Sequence, residues 1–186
     1  FRAWDRGAGF SNGESGVDAR TGIIGDYNTS GLAQGVVISS DGNTAFVADN
    51  FNGLEILDVT DPLNITSLAT FSTSGIAQGV ALSPDGNTAY VAVNDEGLDI
   101  VDITTPSSPS LRATYNTNGV AVNVDVKAHP DGRMLAYIAD SDNGLVVLDV
   151  SDGDNPTLVY EYFDGNDYFD VAALSLPSSE PTTAGN

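Results

Sequence analysis

The stretch GLEILDVTDP, residues 53–62, decides the fold because it recurs along the chain. It returns as GLDIVDITTP at residues 97–106 and as GLVVLDVSDGDNP at residues 144–156. The first two copies begin 44 residues apart, and the third begins 47 residues further on. A repeat of roughly 40 to 50 residues indicates an array of equal structural units.

Each unit predicts four short β-strands. GVVIS and GVALS, at residues 35–39 and 79–83, are apolar runs that we expect to form strands buried on both faces. SDGN and PDGN then predict hairpins, because the glycine of an Asp-Gly turn supplies the positive φ that a tight reversal needs. The strand that follows each hairpin turn is the second of the unit, and the recurring stretch is the third. Its closing proline cannot occupy a central ladder position, so a link to a fourth strand follows.

Four antiparallel strands in every repeat predict an all-β fold of β-propeller blades. An open β-solenoid and a β-sandwich are the alternatives, and the fully apolar first strand disfavours both. We expect three complete blades within residues 21–176, with partial strands near residues 23–29 and 169–176. Residues 1–20 are interpreted as the remnant of an earlier blade, and residues 177–186 as a Ser/Pro/Thr-rich tail or linker.

Three blades are too few to close a propeller ring, since closed propellers have at least four. The chain is therefore part of a longer propeller, a subunit that pairs with further chains, or an irregular compact monomer. Open sheet edges favour pairing between chains, and a pairing that does not close produces a filament. The sequence begins with Phe1 and not with Met, from which we expect a trimmed precursor.

The three copies, each preceded by a strand of the AFVAD or AYVAV type, resemble the LVIVD-repeat family over about residues 21–171. The resemblance implies a surface or secreted β-propeller that serves as a binding scaffold. It brings no catalytic residues with it. The third copy departs from the pattern, because AVNVDVKAHPDG stands where the second copy has AQGVALSPDG, and we expect its face to differ locally.

The charge of the chain excludes two classes of partner. Twenty-six acids face six bases, which gives a formal net charge of -20. Such a surface repels nucleic acid and anionic lipid, and no apolar run reaches the roughly 18 residues of a membrane helix. Three explanations of the charge stay open: a solvated surface in extracellular conditions, calcium-binding carboxylate loops, or a basic partner.

The links between the second and third strands are acidic, and the blade register places all of them on one face. Asp140, Asp142 and Gly144 have the alternating spacing of a calcium loop, but the remaining acids of an EF-hand are missing. The alternative is that these side chains form turns by bonding the nearby backbone. The candidate calcium ligands are Asp49, Asp95, Glu96, Asp140 and Asp142.

The stretch DGNDYFD, residues 164–170, is a second acidic link on the same face. Aromatic rings beside three acids predict either sugar binding, by stacking and carboxylate hydrogen bonds, or ordinary core packing. Two sequons, at Asn28 and Asn64, are candidate glycosylation sites. The candidate binding-face residues are Asp164, Asp167, Tyr168 and Asp170.

No catalytic constellation emerges from the sequence. His129 is the only histidine, and its place beside Pro130 in a predicted turn indicates a surface residue. Without cysteine or a second histidine we expect neither a zinc site nor a base that activates a serine. An acid also ends each third strand, and we interpret it as a cap of the turn that follows. These acids are Asp58, Asp102 and Asp149.

These observations predict a non-enzymatic β-propeller module, outside the cell or on its surface, for protein interaction, adhesion or assembly. Its partner is expected to be a protein, a glycan or further copies of the chain. A structural filament subunit is one alternative, and a calcium-dependent hydrolase or lactonase propeller is another. Apart from calcium, no cofactor is expected.

Overall fold

Residues 25–162, which a computed structural model describes, form three four-stranded antiparallel sheets. Within each sheet the strands pair in chain order, as the repeats predict, so each sheet is one propeller blade. Blade 1 contains β1 (Gly35–Ile38), β2 (Thr44–Ala48), β3 (Leu54–Asp58) and β4 (Thr66–Phe71). Blade 2 contains β5 (Gly79–Leu82), β6 (Thr88–Ala92), β7 (Leu98–Asp102) and β8 (Ser110–Tyr115). Blade 3 contains β9 (Ala121–Ala128), β10 (Met134–Asp140), β11 (Gly144–Asp149) and β12 (Thr157–Tyr162).

The predicted Asp-Gly hairpins join the first two strands of every blade. Gly42, Gly86 and Gly132 have φ angles of 78°, 73° and 95°, a region that side chains with a Cβ rarely adopt. In blade 1, Asp41 Oδ1 accepts hydrogen bonds from the Ser39 hydroxyl at 2.6 Å and from the Asn43 backbone amide at 3.0 Å. Local hydrogen bonds therefore fix the turn without help from other blades.

The blades pack face to face through two apolar layers. Phe46 and Ile56 of blade 1 meet Val91 of blade 2 in the first layer. Ile100 of blade 2 meets Ile138 of blade 3 in the second layer. Because side chains alternate along a strand, the middle strands of blade 2 contribute to both layers. We call the side of a blade that meets the next blade its trailing face, and the opposite side its leading face.

The first strand of the blades is less buried than the sequence analysis predicts. Val36 and Ile38 of β1 are 64% and 47% exposed, whereas the middle strands β2, β3, β6 and β7 are almost wholly buried. The prediction that the apolar first strand is buried on both faces is wrong. The reason is that β1, β5 and β9 are the first strands of their sheets and line an open groove. Only the middle strands have a neighbouring strand on both edges, and they are the buried ones.

The segment before blade 1 does not form the predicted partial strand over residues 25–29, which are irregular. A fourth strand forms by pairing with a third strand, and in residues 25–162 each third strand already pairs with the fourth strand of its own blade. Tyr27 packs instead on the leading face of blade 1. The other predicted partial strand, the N-terminal segment and the tail lie outside the described residues. Nowhere in residues 25–162 is there a helix long and apolar enough to cross a membrane.

Candidate functional site

The recurring stretch begins with a glycine that turns the chain from the second strand into the third. Gly53, Gly97 and Gly144 have φ angles of 86°, 87° and 74°. A Cβ on Gly53 or Gly97 would also collide with the backbone carbonyl oxygen at the end of the fourth strand, at Phe71 or Tyr115. Both the backbone conformation and the space therefore require glycine at these positions.

Two acids inside the third strand are buried, and the sequence analysis did not single them out. Glu55 is 4% exposed and accepts hydrogen bonds from the hydroxyls of Ser67 and Thr70, both at 2.6 Å. Asp99 occupies the same position in blade 2 and is fully buried, whereas blade 3 has Val146 there. The available signal was a charged residue inside an otherwise apolar strand, since such residues are rarely buried without partners.

Asp49, a predicted calcium ligand, is fully buried and bonded to protein groups. Its Oδ1 accepts from the Thr29 hydroxyl at 2.7 Å. Its Oδ2 accepts from the Gly31 amide at 2.7 Å and from the Asn52 side chain at 3.1 Å. These bonds tie the segment before blade 1 to the blade, and the contacts to Thr29 and Gly31 span about 20 residues, unlike the local turn bonds of the alternative interpretation.

Blade 2 makes the same connection from a different position. Val93 stands where blades 1 and 3 have an aspartate, and Asp99 takes over the function. Asp99 accepts from the amide and the hydroxyl of Ser74, both at 2.7 Å, and from the Thr114 hydroxyl at 2.6 Å. A buried carboxylate thus holds the preceding link on blade 2 as on blade 1.

Blade 3 uses Asp140, which is also fully buried. Its Oδ1 accepts from the backbone amides of Val120, Asp142 and Asn143 at 3.0, 3.1 and 3.0 Å. The three buried aspartates and Glu55 therefore hold links and strands in place through hydrogen bonds from protein groups.

The remaining predicted calcium ligands are exposed and lie in different blades. Asp95 and Glu96 belong to the link of blade 2, and Asp142 to that of blade 3. Within residues 25–162, no three side chains of Asp, Glu, His or Cys come together as a metal site. The five predicted ligands are thus not one cluster, and calcium binding stays a prediction.

The other predicted sites have separate outcomes. Asn28 and Asn64 are both exposed, and they stay candidate glycosylation sites. The predicted binding-face residues Asp164, Asp167, Tyr168 and Asp170 lie outside the described residues.

His129 lies half-exposed in the turn between β9 and β10, as the sequence analysis predicts for a surface residue. Its Nδ1 is 2.8 Å from Asp131 Oδ1, and an Arg133 guanidinium nitrogen is 2.7 Å from Asp131 Oδ2. Hydrogen bonds from Arg133 hold the pKa of Asp131 well below its usual range. Arg133 and Asp131 thus form an ion pair at this exposed turn, and the His129 ring lies beside it.

The groove along the first strands of the three blades has a volume of about 960 Å³. Gln34 and Gln78 occupy equivalent positions on its wall, and blade 3 has Val122 there. Among the described residues, the amide side chain at this position is therefore not repeated in blade 3.

The trailing face of blade 3 carries an aromatic pair. Tyr160 and Tyr162 are 55% and 45% exposed, and their rings stack with centroids 6.5 Å apart. In the ladder, Tyr160 lies opposite Val147, at the position that Ala69 and Ala113 occupy in blades 1 and 2. The trailing faces of blades 1 and 2 are covered by the next blade. Blade 3 differs in carrying two exposed tyrosines on this face.

A family model of the LVIVD repeat matches residues 30–73, 74–117 and 135–164, which together are more than half of the chain. The chain belongs to the LVIVD-repeat family. The matches follow the three blades and leave out residues 118–134, where the third copy departs from the pattern and β9 is longer than β1 and β5.

Solved structures show the same fold. The chain is similar to a "putative 6-phosphogluconolactonase" from Bacteroides fragilis, with 16% identity and a TM-score of 0.60 over 72% of this chain and 39% of that one. A functionally unknown protein from Desulfotomaculum acetoxidans has 21% identity and a TM-score of 0.58 over 81% and 49%. The β-propeller domain of Swd1 from Myceliophteria thermophila has 14% identity and a TM-score of 0.54 over 73% and 42%.

The LVIVD chain thus spans less than half the length of these solved proteins. A comparison with curated protein sequences gave no significant match. At such low identity the structural likeness shows the propeller fold alone.

The five residues that name the LVIVD repeat are the third strand of each blade. They read LEILD in β3, LDIVD in β7 and LVVLD in β11. The last aspartate caps the following turn, as predicted: Asp102 Oδ1 accepts from the amide and the hydroxyl of Thr104 at 2.9 and 2.6 Å. Asp58 and Asp149 make the equivalent amide bonds at 2.9 and 3.0 Å.

These capping aspartates predict a loss of stability in acid. Hydrogen bonds from Thr60, Thr104 and Ser151 hold the pKa of Asp58, Asp102 and Asp149 below the usual 3.8. The unfolded chain therefore takes up protons first as the pH falls. The contribution of the three carboxylates to the free energy of unfolding is complete above about pH 4, and it is lost as the pH falls through their pKa in the folded chain.

Urea unfolding at about pH 5, 4 and 3 measures this loss, in about 0.5 M NaCl to screen repulsion among the acids. We expect the unfolding midpoint to fall with pH. The triple variant Asp58→Asn, Asp102→Asn, Asp149→Asn keeps an oxygen that accepts the turn bonds but cannot titrate, so its midpoint should fall less. Equal pH dependence of the two proteins would contradict the prediction.

Proposed function

We propose that this LVIVD chain is a non-enzymatic assembly module that docks a further propeller blade onto the trailing face of blade 3. The observation that carries the proposal is the exposed, stacked pair of Tyr160 and Tyr162, on a face that blades 1 and 2 bury. Exposed tyrosines are enriched in protein-binding sites, where they often anchor the partner.

The leading face of blade 1 supports a second copy as the partner. Ala45, Val47 and Leu57 form an apolar cluster there, which Tyr27 covers in the single chain, so a docked second copy would displace Tyr27. Their equivalents in blade 2, 44 residues further on, are Ala89, Val91 and Val101, and these pack against the trailing face of blade 1. One copy therefore offers both halves of an interface that the chain already makes twice internally.

The shape of the assembly depends on the docking rotation. Two copies joined head to tail and closed would form a ring of six blades, whereas a rotation that does not close would form a filament. The solved propellers are about twice as long as this chain, which supports a ring completed by a second set of blades. Electron microscopy of the full chain distinguishes rings from fibres.

The test introduces a charge into the trailing face. Tyr160→Glu should weaken self-association by at least about tenfold, because the carboxylate loses its hydration in the interface. Leu111→Glu is the matched control, since Leu111 is a similarly exposed apolar residue, at 49%, on the outer strand of blade 2 and not on the trailing face of blade 3. Light scattering over a wide range of concentration measures the assembly. A wild-type chain that stays monomeric, or a Tyr160→Glu variant that assembles as well as the control, would contradict the proposal.

A non-enzymatic function is part of the proposal. The likeness to the lactonase-like protein is one of fold at 16% identity, and the buried acids of residues 25–162 are engaged in structural hydrogen bonds. Hydrolysis of a simple lactone or phosphate ester by the purified chain with calcium would contradict it. We further propose a location outside the cell or on its surface, supported by the acidic composition.

A further inference from the structure

Three threonines occupy equivalent positions before the three blades, and one of them lacks a partner. The Thr29 hydroxyl donates to Asp49 Oδ1 at 2.7 Å, and the Thr73 hydroxyl donates to the carbonyl oxygen of Gly75 at 2.7 Å. Thr117 is only 4% exposed, yet its hydroxyl has no hydrogen-bond partner among the described residues. Buried hydroxyls are normally bonded, so this oxygen calls for an explanation.

The buried carboxylate of the same blade is also only half satisfied. Three backbone amides donate to Asp140 Oδ1, whereas Oδ2 is buried and has no partner among the described residues. The equivalent Asp49 differs, because both of its oxygens accept hydrogen bonds. A bare carboxylate oxygen inside a protein is costly unless a positive group balances it.

The two unpartnered oxygens belong to one place in the fold. The Asn143 amide donates to Asp140 Oδ1 at 3.0 Å, and its side chain donates to the Thr117 carbonyl oxygen at 2.7 Å. A Cβ on Gly119 would collide with Asp140 Oδ1, so the link from Thr117 passes directly over the carboxylate. Asp142, two residues after Asp140, has an exposed side chain, and its backbone amide donates to Asp140 Oδ1 at 3.1 Å.

We propose that Asp140 Oδ2, the Thr117 hydroxyl and the Asp142 carboxylate bind a calcium ion at the β10–β11 link of blade 3. The donors are all oxygens, which calcium prefers, and calcium tolerates irregular geometry better than magnesium does. Of the five calcium ligands predicted from the sequence, the proposed site contains Asp140 and Asp142, and Thr117 is an additional ligand. With so few protein ligands, we expect a dissociation constant on the order of 10⁻⁴ to 10⁻³ M, the range of extracellular modules.

Amide NMR of the full chain during a calcium chloride titration tests the site, in about 0.15 M NaCl to screen diffuse binding. The amides that donate to Asp140 Oδ1, at Val120, Asp142 and Asn143, should shift and saturate together. The Gly31 amide, which donates to Asp49, is the internal control and should stay in place. Absence of saturable shifts at the three amides, or equal shifts at Gly31, would overturn the proposal.

Two variants test the ligands without removing the buried aspartate. Thr117→Val and Asp142→Asn should each weaken calcium binding by at least about tenfold, since each removes one of three protein ligands. Asp95→Asn removes the same charge from an exposed link of blade 2 and should leave the affinity unchanged. Unchanged affinity in both test variants would assign the shifts to another site and overturn the proposal.

Discussion

Replacing Gly97 with alanine is expected to lower the free energy of unfolding by about 3 kcal/mol or more, a large share of the stability of a small domain. The residue has a φ of 87°, which costs a residue with a Cβ roughly 1–2 kcal/mol. The added methyl would also collide with the carbonyl oxygen of Tyr115, where backbone must move to make room. Urea unfolding of the full chain measures the loss.

Gly86→Ala is the matched control for this prediction. Gly86 lies in the hairpin turn of the same blade with a φ of 73°, but no atom lies within 4 Å of an added Cβ. Its substitution should cost only this same backbone contribution, roughly 1–2 kcal/mol. If the two variants lost equal stability, the close approach of β8 to the start of the LVIVD strand would have no energetic consequence.

Replacing Asp99 with alanine is expected to cost about 3 kcal/mol. The carboxylate is fully buried and accepts three hydrogen bonds from Ser74 and Thr114. Alanine would remove all three hydrogen bonds, and a hydrogen bond to a charged group contributes about 1.5–3 kcal/mol. Ser74 and Thr114 are exposed, so water partly replaces the lost acceptor. Some of this loss is offset, because the variant no longer buries a charge.

Asp95→Ala provides the comparison, because it removes the same charge four residues earlier from an exposed link. We expect its stability to lie within about 0.5 kcal/mol of the wild type. Urea midpoints of the two variants, measured side by side, decide the prediction. A similar small effect for both would mean that the bonds to Ser74 and Thr114 do not stabilise the fold.

Blade 3 lacks the buried acid that Glu55 and Asp99 provide in blades 1 and 2. Val146 replaces it, and the residue opposite in the fourth strand is Glu161 where blades 1 and 2 have Thr70 and Thr114. The buried acid thus occurs together with a hydroxyl donor across the ladder. This pairing is visible in the sequence only after the strand register is known.

The strands of the blades were predictable because their signals are local. The recurring stretch, the Asp-Gly turns and the aspartate that ends each LVIVD strand all act over a few residues, as in the bond from Asp58 to the amide of Thr60. Burial of the first strand was predicted wrongly, since an apolar run such as GVVI looks the same beside a groove as inside a core. The unpartnered Thr117 hydroxyl carried no sequence signal, because its equivalents Thr29 and Thr73 look identical and are bonded.

The sequence by itself determined the four-strand order of each of the three blades in residues 25–162, because glycine conformation and hydrogen bonds between near neighbours repeat with the period of the chain. Only the tertiary structure decided which acids are structural. Asp49 bonds Gly31 across 18 residues and Asp99 bonds Ser74 across 25, and such partners meet only when a link folds back onto its blade. The energy of a carboxylate depends on its surroundings, so an acid in a link became a buried anchor at Asp49 and stayed a solvated side chain at Asp95.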